Sequence, residues 1–170
     1  MPIDFTKLSL QDALDLAILI EDEARERYRE FARVLGKRYP GDASDFFATM
    51  AVNETKHAQQ LSTRRKKLFK SAKRQVDRSW FTDVEAPDYG KPRLFMSPRQ
   101  AMEVALESEV KAFDFYDEAM EHVKDKDIRA LFADLRAEER EHQKSIKKQM
   151  KSLPVGPDLD EDAADEPSAL

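Results

Sequence analysis

The chain has 170 residues, 37% of them charged, with four glycines and no cysteine. This length is sufficient for one domain with a sizeable hydrophobic core, and the composition is typical of amphipathic helices. The absence of cysteine excludes disulfides, thiolate zinc sites, a rubredoxin-type iron centre and cysteine nucleophiles.

The charge is unevenly distributed along the chain. The net charge is −5, and the segment from Asp158 to the end holds six acids and no bases, so the remainder is close to neutral. We therefore predict no nucleic-acid partner. The N-terminus lacks the basic and apolar regions of a secretory signal, and no run approaches the roughly 18 uninterrupted apolar residues of a membrane span. These features predict a soluble cytoplasmic protein with no membrane partner.

Apolar periodicity predicts two long helices in the first half of the chain. The first begins after the N-cap residue Ser9 and continues to about Gly36, with apolar or small residues at helical spacing. The second begins near Asp42 and ends between Lys70 and Arg78. Together they form a helical hairpin, because the connection between them is short.

A second hairpin follows a long connection. Residues 76–96 have no sustained period and contain two prolines and a glycine, which predicts a crossover that runs along the helices. The third helix begins at Ser97-Pro98-Arg99-Gln100, and a tight turn around residues 124–127 leads to the fourth. The predicted fold is all-α: an up-down four-helix bundle over residues 1–153, two helical hairpins joined by one long crossover. Residues 154–170 are predicted to be an acidic, disordered tail.

The two hairpins repeat one pattern of polar residues. Glu-x-x-His occurs twice, at positions 85 residues apart, and the first and third helices align at an offset of 88. Each hairpin thus contributes a lone glutamate from one helix and a Glu-x-x-His from the other. Residues three apart share a helix face, so each pair can bind one ion. The six residues are Glu21, Glu54, His57, Glu109, Glu139 and His142.

These six residues predict a two-metal site inside the bundle. Each unpaired buried carboxylate costs several kcal/mol. Two divalent ions would neutralise the charge of four carboxylates, and the two imidazoles would be neutral. The set matches the ligands of carboxylate-bridged di-iron and di-manganese bundles. Two iron ions are the predicted cofactor, with manganese or zinc as alternatives. One Glu-x-x-His alone is usually a solvated helix face, so the prediction depends on the repeat.

Two tyrosines, Tyr28 and Tyr116, each follow a lone glutamate by seven residues and share its helix face. They are either ordinary core aromatics, phenols that donate a hydrogen bond to a metal-bound carboxylate, or electron relays. We favour the hydrogen bond, because buried phenols need partners and ligating carboxylates need orientation.

Residues 9–150 resemble the ferritin-like superfamily, in its rubrerythrin and erythrin branch. The resemblance depends on four motifs, and a further one, Tyr28-Arg29-x-Phe31-Ala32 followed by Arg38-Tyr39-Pro40, resembles the erythrin domain of membrane-bound ferritins, without their membrane domain. The four motifs are Glu21-x-x-Ala24-x-x-x-Tyr28, Met50-Ala51-x-x-Glu54-x-x-His57, Glu109-x-x-Ala112-x-x-Phe115-Tyr116 and Glu138-Glu139-x-x-His142.

The resemblance implies a di-iron site that oxidises ferrous iron with, or reduces, oxygen or hydrogen peroxide, commonly in a homodimer. By position, the six residues above are the iron ligands, with Glu54 and Glu139 as the bridges. Peroxidase-type rubrerythrins carry an additional glutamate on the third helix where this chain has Ala112. They also carry a rubredoxin domain, which needs cysteine, so the electron donor of this protein is expected to be external.

Two other functions stay open at this stage. The chain could be an iron-binding, storage or cargo protein whose metals are structural or stored, with the acidic tail as a docking segment. It could also be a di-iron oxygenase that acts on an organic substrate, which would require a substrate channel.

Overall fold

The computed structural model describes residues 3–81, 83–93 and 95–154, and within them the chain forms four long α-helices and no strand. The helices are α1 (Leu10–Leu35), α2 (Ala43–Phe69), α3 (Pro98–His122) and α4 (Lys126–Met150). Two short 3-10 helices, Phe5–Lys7 and Arg78–Trp80, lie outside them. The predicted all-α fold is confirmed, and the predicted acidic tail lies outside the described residues from position 155 onward.

Side-chain caps fix the starts of both hairpins. The Ser9 hydroxyl accepts a hydrogen bond from the backbone N–H of Asp12, whose carboxylate accepts from the N–H of Ser9. Ser97 and Gln100 make the same reciprocal pair at the start of α3. These pairs satisfy N–H groups that a helix leaves without partners in its first turn.

The helices end where the backbone leaves the helical region. α1 ends before Gly36, whose φ of 62° is accessible to glycine at low cost. α2 ends at Phe69, just before the predicted interval, because Lys70 adopts a φ of 53°. Among the described residues, no helix combines the length and the apolar character that crossing a membrane requires.

The core is divided into two apolar clusters. One lies around Leu14, Tyr116 and Phe132, and the other lies around Phe31 and Phe47. On each helix, the residues of one cluster precede a buried glutamate in the sequence and those of the other cluster follow it. The fold therefore places one layer of carboxylates between two apolar clusters, where little water can reach them.

The crossover is attached to the bundle along its length. Val84, Glu85, Ala86 and Pro87 are four consecutive buried residues although they lie in no helix. Trp80 and Phe81 contribute to the first apolar cluster. The segment therefore covers part of the core as well as joining the two hairpins.

Candidate metal centre

The structure brings all six predicted ligand residues together in the carboxylate layer. The four glutamates, one from each helix, are at most 1% exposed. The two histidines are more accessible, with side chains 20% and 27% exposed. The layer is thus closed on its carboxylate side and reachable on its histidine side.

The first hairpin forms one triad of two glutamates and a histidine. The Nδ1 atom of His57 lies 3.5 Å from a carboxylate oxygen of Glu21 and 3.2 Å from one of Glu54. Glu54 and His57 share a face of α2 because they are three residues apart, and α1 places Glu21 opposite them. Ligand atoms of the three residues lie within 4.8 Å of one another.

The second hairpin forms an equivalent triad. His142 Nδ1 lies 2.9 Å from Glu109 and 3.3 Å from Glu139. The side-chain amide of Gln143 donates to the backbone carbonyl of Glu109, which ties α4 to α3 beside the triad. The two imidazole rings stack in parallel, with centroids 4.8 Å apart and an interplanar angle of 5°. The triads are therefore adjacent, as a two-metal centre requires.

A groove of about 320 Å³ leads to the histidine side of the layer. It runs between α2 and α4, with Arg64 and Gln60 on one wall and Asp134 and Glu138 on the other, and it reaches His57. Small molecules and ions can approach His57 from solvent by this route.

A seventh residue, Glu85 of the crossover, also reaches the layer. It is 1% exposed, and its carboxylate lies within 4.8 Å of ligand oxygens in two further groups, one with Glu21 and Glu139 and one with Glu54 and Glu109. Sequence reasoning missed it because it lies in the aperiodic crossover and has no counterpart in the repeat. Its one signal is an acid within the short apolar run Val84–Pro87, which is unusual for an exposed loop.

The unpartnered oxygen atoms of the layer test whether these residues fit a metal. Buried carboxylate oxygens of Glu21, Glu54, Glu85 and Glu109 make no hydrogen bond within the described residues. A buried acceptor without a partner is costly, and a carboxylate more so. Oxygen ligands with one imidazole for each ion suit iron or manganese. The donor set therefore fits two such ions.

Without metal, the layer retains protons. Burial, opposed by the neighbouring His57 imidazole and reinforced by Glu54, raises the pKa of Glu21 to about 8. Burial alone would lower the pKa values of the two imidazoles. The Glu21 and Glu54 carboxylates instead raise the pKa of His57 to about 10, and Glu109 and Glu139 raise that of His142 to about 11. Metal binding must displace these protons, because ligands bind in their deprotonated forms.

Tyr28 and Tyr116 are fully buried beside the layer, and neither hydroxyl makes a direct hydrogen bond within the described residues. Burial, reinforced by Glu109 and Glu54, raises the pKa of Tyr28 well above its ordinary value, although the nearby Ser108 hydroxyl lowers it. Burial and, to a smaller extent, the Glu21 and Glu85 carboxylates raise the pKa of Tyr116 well above its ordinary value. Both phenols therefore keep their protons at neutral pH and are available as donors.

Solved structures that are similar to this chain include proteins from two microorganisms. An uncharacterised conserved protein from Magnetospirillum magnetotacticum MS-1 is 27% identical, with a TM-score of 0.69 over 88% of this chain and 98% of that one. A hypothetical protein from Pyrococcus furiosus is 21% identical, with a TM-score of 0.55 over 85% and 89% of the two chains, and shows the fold alone. No curated protein matches the chain.

One family model matches most of the sequence. The rubrerythrin model matches residues 12–150, a range that contains both triads, and a second match covers residues 100–168. The carboxylate and histidine groups of this family fold could bind a metal, and a membrane-spanning helix is absent from the described residues. The chain therefore belongs to the rubrerythrin family.

Proposed function

We propose that this protein is a non-haem di-iron oxidoreductase that oxidises ferrous iron with oxygen or hydrogen peroxide, or reduces these oxidants with electrons from an external donor. The observation that supports this proposal is the pair of equivalent Glu-Glu-His triads, adjacent across the two stacked imidazole rings. Family membership supports it further, because rubrerythrins are usually di-iron proteins with redox roles.

Each triad would hold one iron ion. Glu21, Glu54 and His57 are the ligands of one position, and Glu109, Glu139 and His142 are those of the other. Bound there, two ferrous ions can together supply the two electrons that convert hydrogen peroxide and two protons into two water molecules. The same residues would bind ferrous iron as substrate in a ferroxidase reaction.

The surrounding residues exclude water and provide hydrogen-bond donors. The two apolar clusters on either side of the carboxylate layer limit access of solvent, which strengthens electrostatic interactions within it. The hydroxyls of Tyr28 and Tyr116 remain protonated and are available as hydrogen-bond donors beside the carboxylates. The groove beside His57 would give small oxidants and iron a route to this side of the layer.

Stopped-flow mixing of metal-free protein with ferrous iron tests the proposal. We expect absorbance of ferric iron to form rapidly, either in air or with hydrogen peroxide added under anaerobic conditions. The oxidant that reacts faster is the preferred one. In the Glu54→Ala, Glu139→Ala double variant, ferrous iron should be oxidised no faster than in buffer alone. Glu141→Ala is the matched control, because Glu141 is an exposed acid of the same helix that pairs with Lys144.

The result that would reject the proposal is an unchanged oxidation rate in the double variant. Wild-type protein that binds two iron ions per chain but oxidises them no faster than buffer would instead support iron storage or delivery. Sedimentation of the same samples would test the predicted homodimer.

A further inference from the structure

The crossover is anchored to both hairpins around Glu85. From α1, the Arg27 guanidinium donates to the backbone carbonyl of Pro87 and pairs with Asp83 at 2.9 Å. From α3, the Lys111 ammonium donates to the carbonyl of Ala86 at 2.9 Å. These contacts place residues 83–87 across the two helices that carry the lone glutamates.

Further contacts extend this anchoring on the solvent side. The Arg27 guanidinium lies 3.4 Å from the ring centroid of Tyr89, a cation–π contact. Lys111 also lies 3.4 Å from the carboxylate of Asp88. All of these contacts satisfy backbone carbonyls and exposed side chains, and none satisfies the carboxylate of Glu85, whose two oxygens have no hydrogen-bond partner in the described part of the chain.

The position of Glu85 is unfavourable without a cation. Its carboxylate is directed into a layer that already holds four others, at a site where burial and those four carboxylates act against its charge. A loop acid with no partner would normally turn toward solvent, since a buried charge is costly unless it is paired or coordinates a metal. The anchored backbone keeps it in the layer.

The two groups that contain Glu85 differ from the histidine triads. Each histidine triad belongs to one hairpin, whereas each Glu85 group combines one glutamate of the first hairpin with one of the second. Its carboxylate therefore lies close to glutamates of both hairpins and is not confined to one histidine triad.

We propose that Glu85 is a seventh metal ligand, that it binds between the two ions, and that metal binding thereby fixes the crossover segment 83–89 onto the bundle. This inference rests on the proposed two-metal site, but not on its redox activity. The segment would be less firmly held in the metal-free protein, because five carboxylates then share one layer.

Hydrogen exchange of the full chain, followed by mass spectrometry of peptides spanning residues 83–89, tests the inference. Zn²⁺ is the probe, because it has no redox chemistry and binds the same ligand types. We expect Zn²⁺ to slow exchange in this segment about tenfold or more in the wild type, since local opening would require breaking a metal bond. Glu85→Gln should lose this slowing while Zn²⁺ still binds at the histidine triads.

Asp88→Asn is the matched control. It also removes a carboxylate from the crossover, but that side chain is 61% exposed, so the metal-dependent slowing should persist. Equal slowing in Glu85→Gln, or equal exchange with and without Zn²⁺ in the wild type, would overturn the inference and leave the proposed function standing. Wild-type protein that fails to bind Zn²⁺ would overturn both the inference and the proposed function.

Discussion

Two sets of buried acidic side chains in the bundle have opposite surroundings. Near the start of α1, Asp15 is completely buried and accepts two hydrogen bonds from the Arg65 guanidinium, at 2.8 and 3.1 Å. Arg74 lies 3.3 Å from the same carboxylate. In the carboxylate layer, four of the five equally buried glutamates pair with the two partly exposed histidines.

The two sets differ in where the partners of the carboxylates come from: Asp15 is paired within the protein, whereas the glutamates of the layer are proposed to bind metal. Arg65 also donates to the carbonyls of Lys70 and Ala72, so the Asp15 pair joins α1 to the end of α2 and to the first residues of the crossover. Both carboxylate oxygens of Asp15 thus accept a hydrogen bond from within the protein. Several buried oxygens of the glutamate layer instead make no hydrogen bond with any described residue, and this supports the proposal that the layer binds a cation.

The largest expected effect on stability comes from breaking the buried ion pair between Asp15 and Arg65. Asp15→Ala should lower the free energy of unfolding by about 3–5 kcal/mol, because it leaves the Arg65 charge buried without its partner. The loss should be the same with and without bound metal. Urea unfolding followed by circular dichroism measures it.

Glu26→Ala is the comparison variant for this prediction. Glu26 also pairs with an arginine, Arg78, but both side chains are about half exposed. The exposed pair should contribute less than about 1 kcal/mol. Similar losses in the two variants would show that burial does not distinguish the pairs.

The next effect is stabilisation by metal, and it should increase with pH. In the metal-free protein the pKa of Glu21 is raised from 4.5 to about 8, and those of the histidines from 6.5 to about 10 and 11. A raised pKa stabilises the folded state fully below the unfolded value, and this contribution is lost as pH rises toward the folded value. The metal-free protein should therefore lose stability from pH 5 to 8.

The stabilisation that bound metal provides should instead increase with pH, because the metal replaces those protons. At a free Mn²⁺ concentration one hundred times the dissociation constant, stabilisation is about 2.7 kcal/mol. Thermal unfolding at pH 5, 6, 7 and 8, with and without Mn²⁺, should show a metal-induced shift that grows at each step. A shift that is constant or decreases with pH would contradict the proton displacement.

The smallest effect is expected for Glu21→Gln in the metal-free protein. With a pKa of about 8, Glu21 is largely protonated at pH 7, so an amide of the same shape should change stability by less than about 1 kcal/mol. At pH 9 the variant should be more stable than the wild type, which must then hold the ionised carboxylate. Its metal-induced stabilisation should be weaker at both pH values, as thermal unfolding would show.

Local signals made most of the fold predictable. Ser9 and Ser97 start helices as expected because the capping residues and their partners lie three positions apart in the sequence. The repeat aligned the lone glutamates with each other, and the bundle brings both beside the Glu-x-x-His pairs. A helix face has a fixed period, so residues that share it can be identified without a structure.

The crossover was not predictable in the same way. Its path depends on Arg27 and Lys111, which reach backbone carbonyls far away in the sequence. No period relates Glu85 to the layer that it enters, so the sequence predicted four carboxylates where the structure has five. The end of α2 at Phe69 likewise depends on one backbone angle, at Lys70, within a run of residues that all tolerate a helix.

The near equivalence of the two triads also affects how the site would fill. Because each hairpin holds a complete set of ligand types, neither position has a different donor chemistry with which to select the first ion. Protein given one equivalent of metal should then be a statistical mixture of empty, singly occupied and doubly occupied molecules. Glu85, directed between the positions, is the residue that could shift this mixture toward paired occupancy.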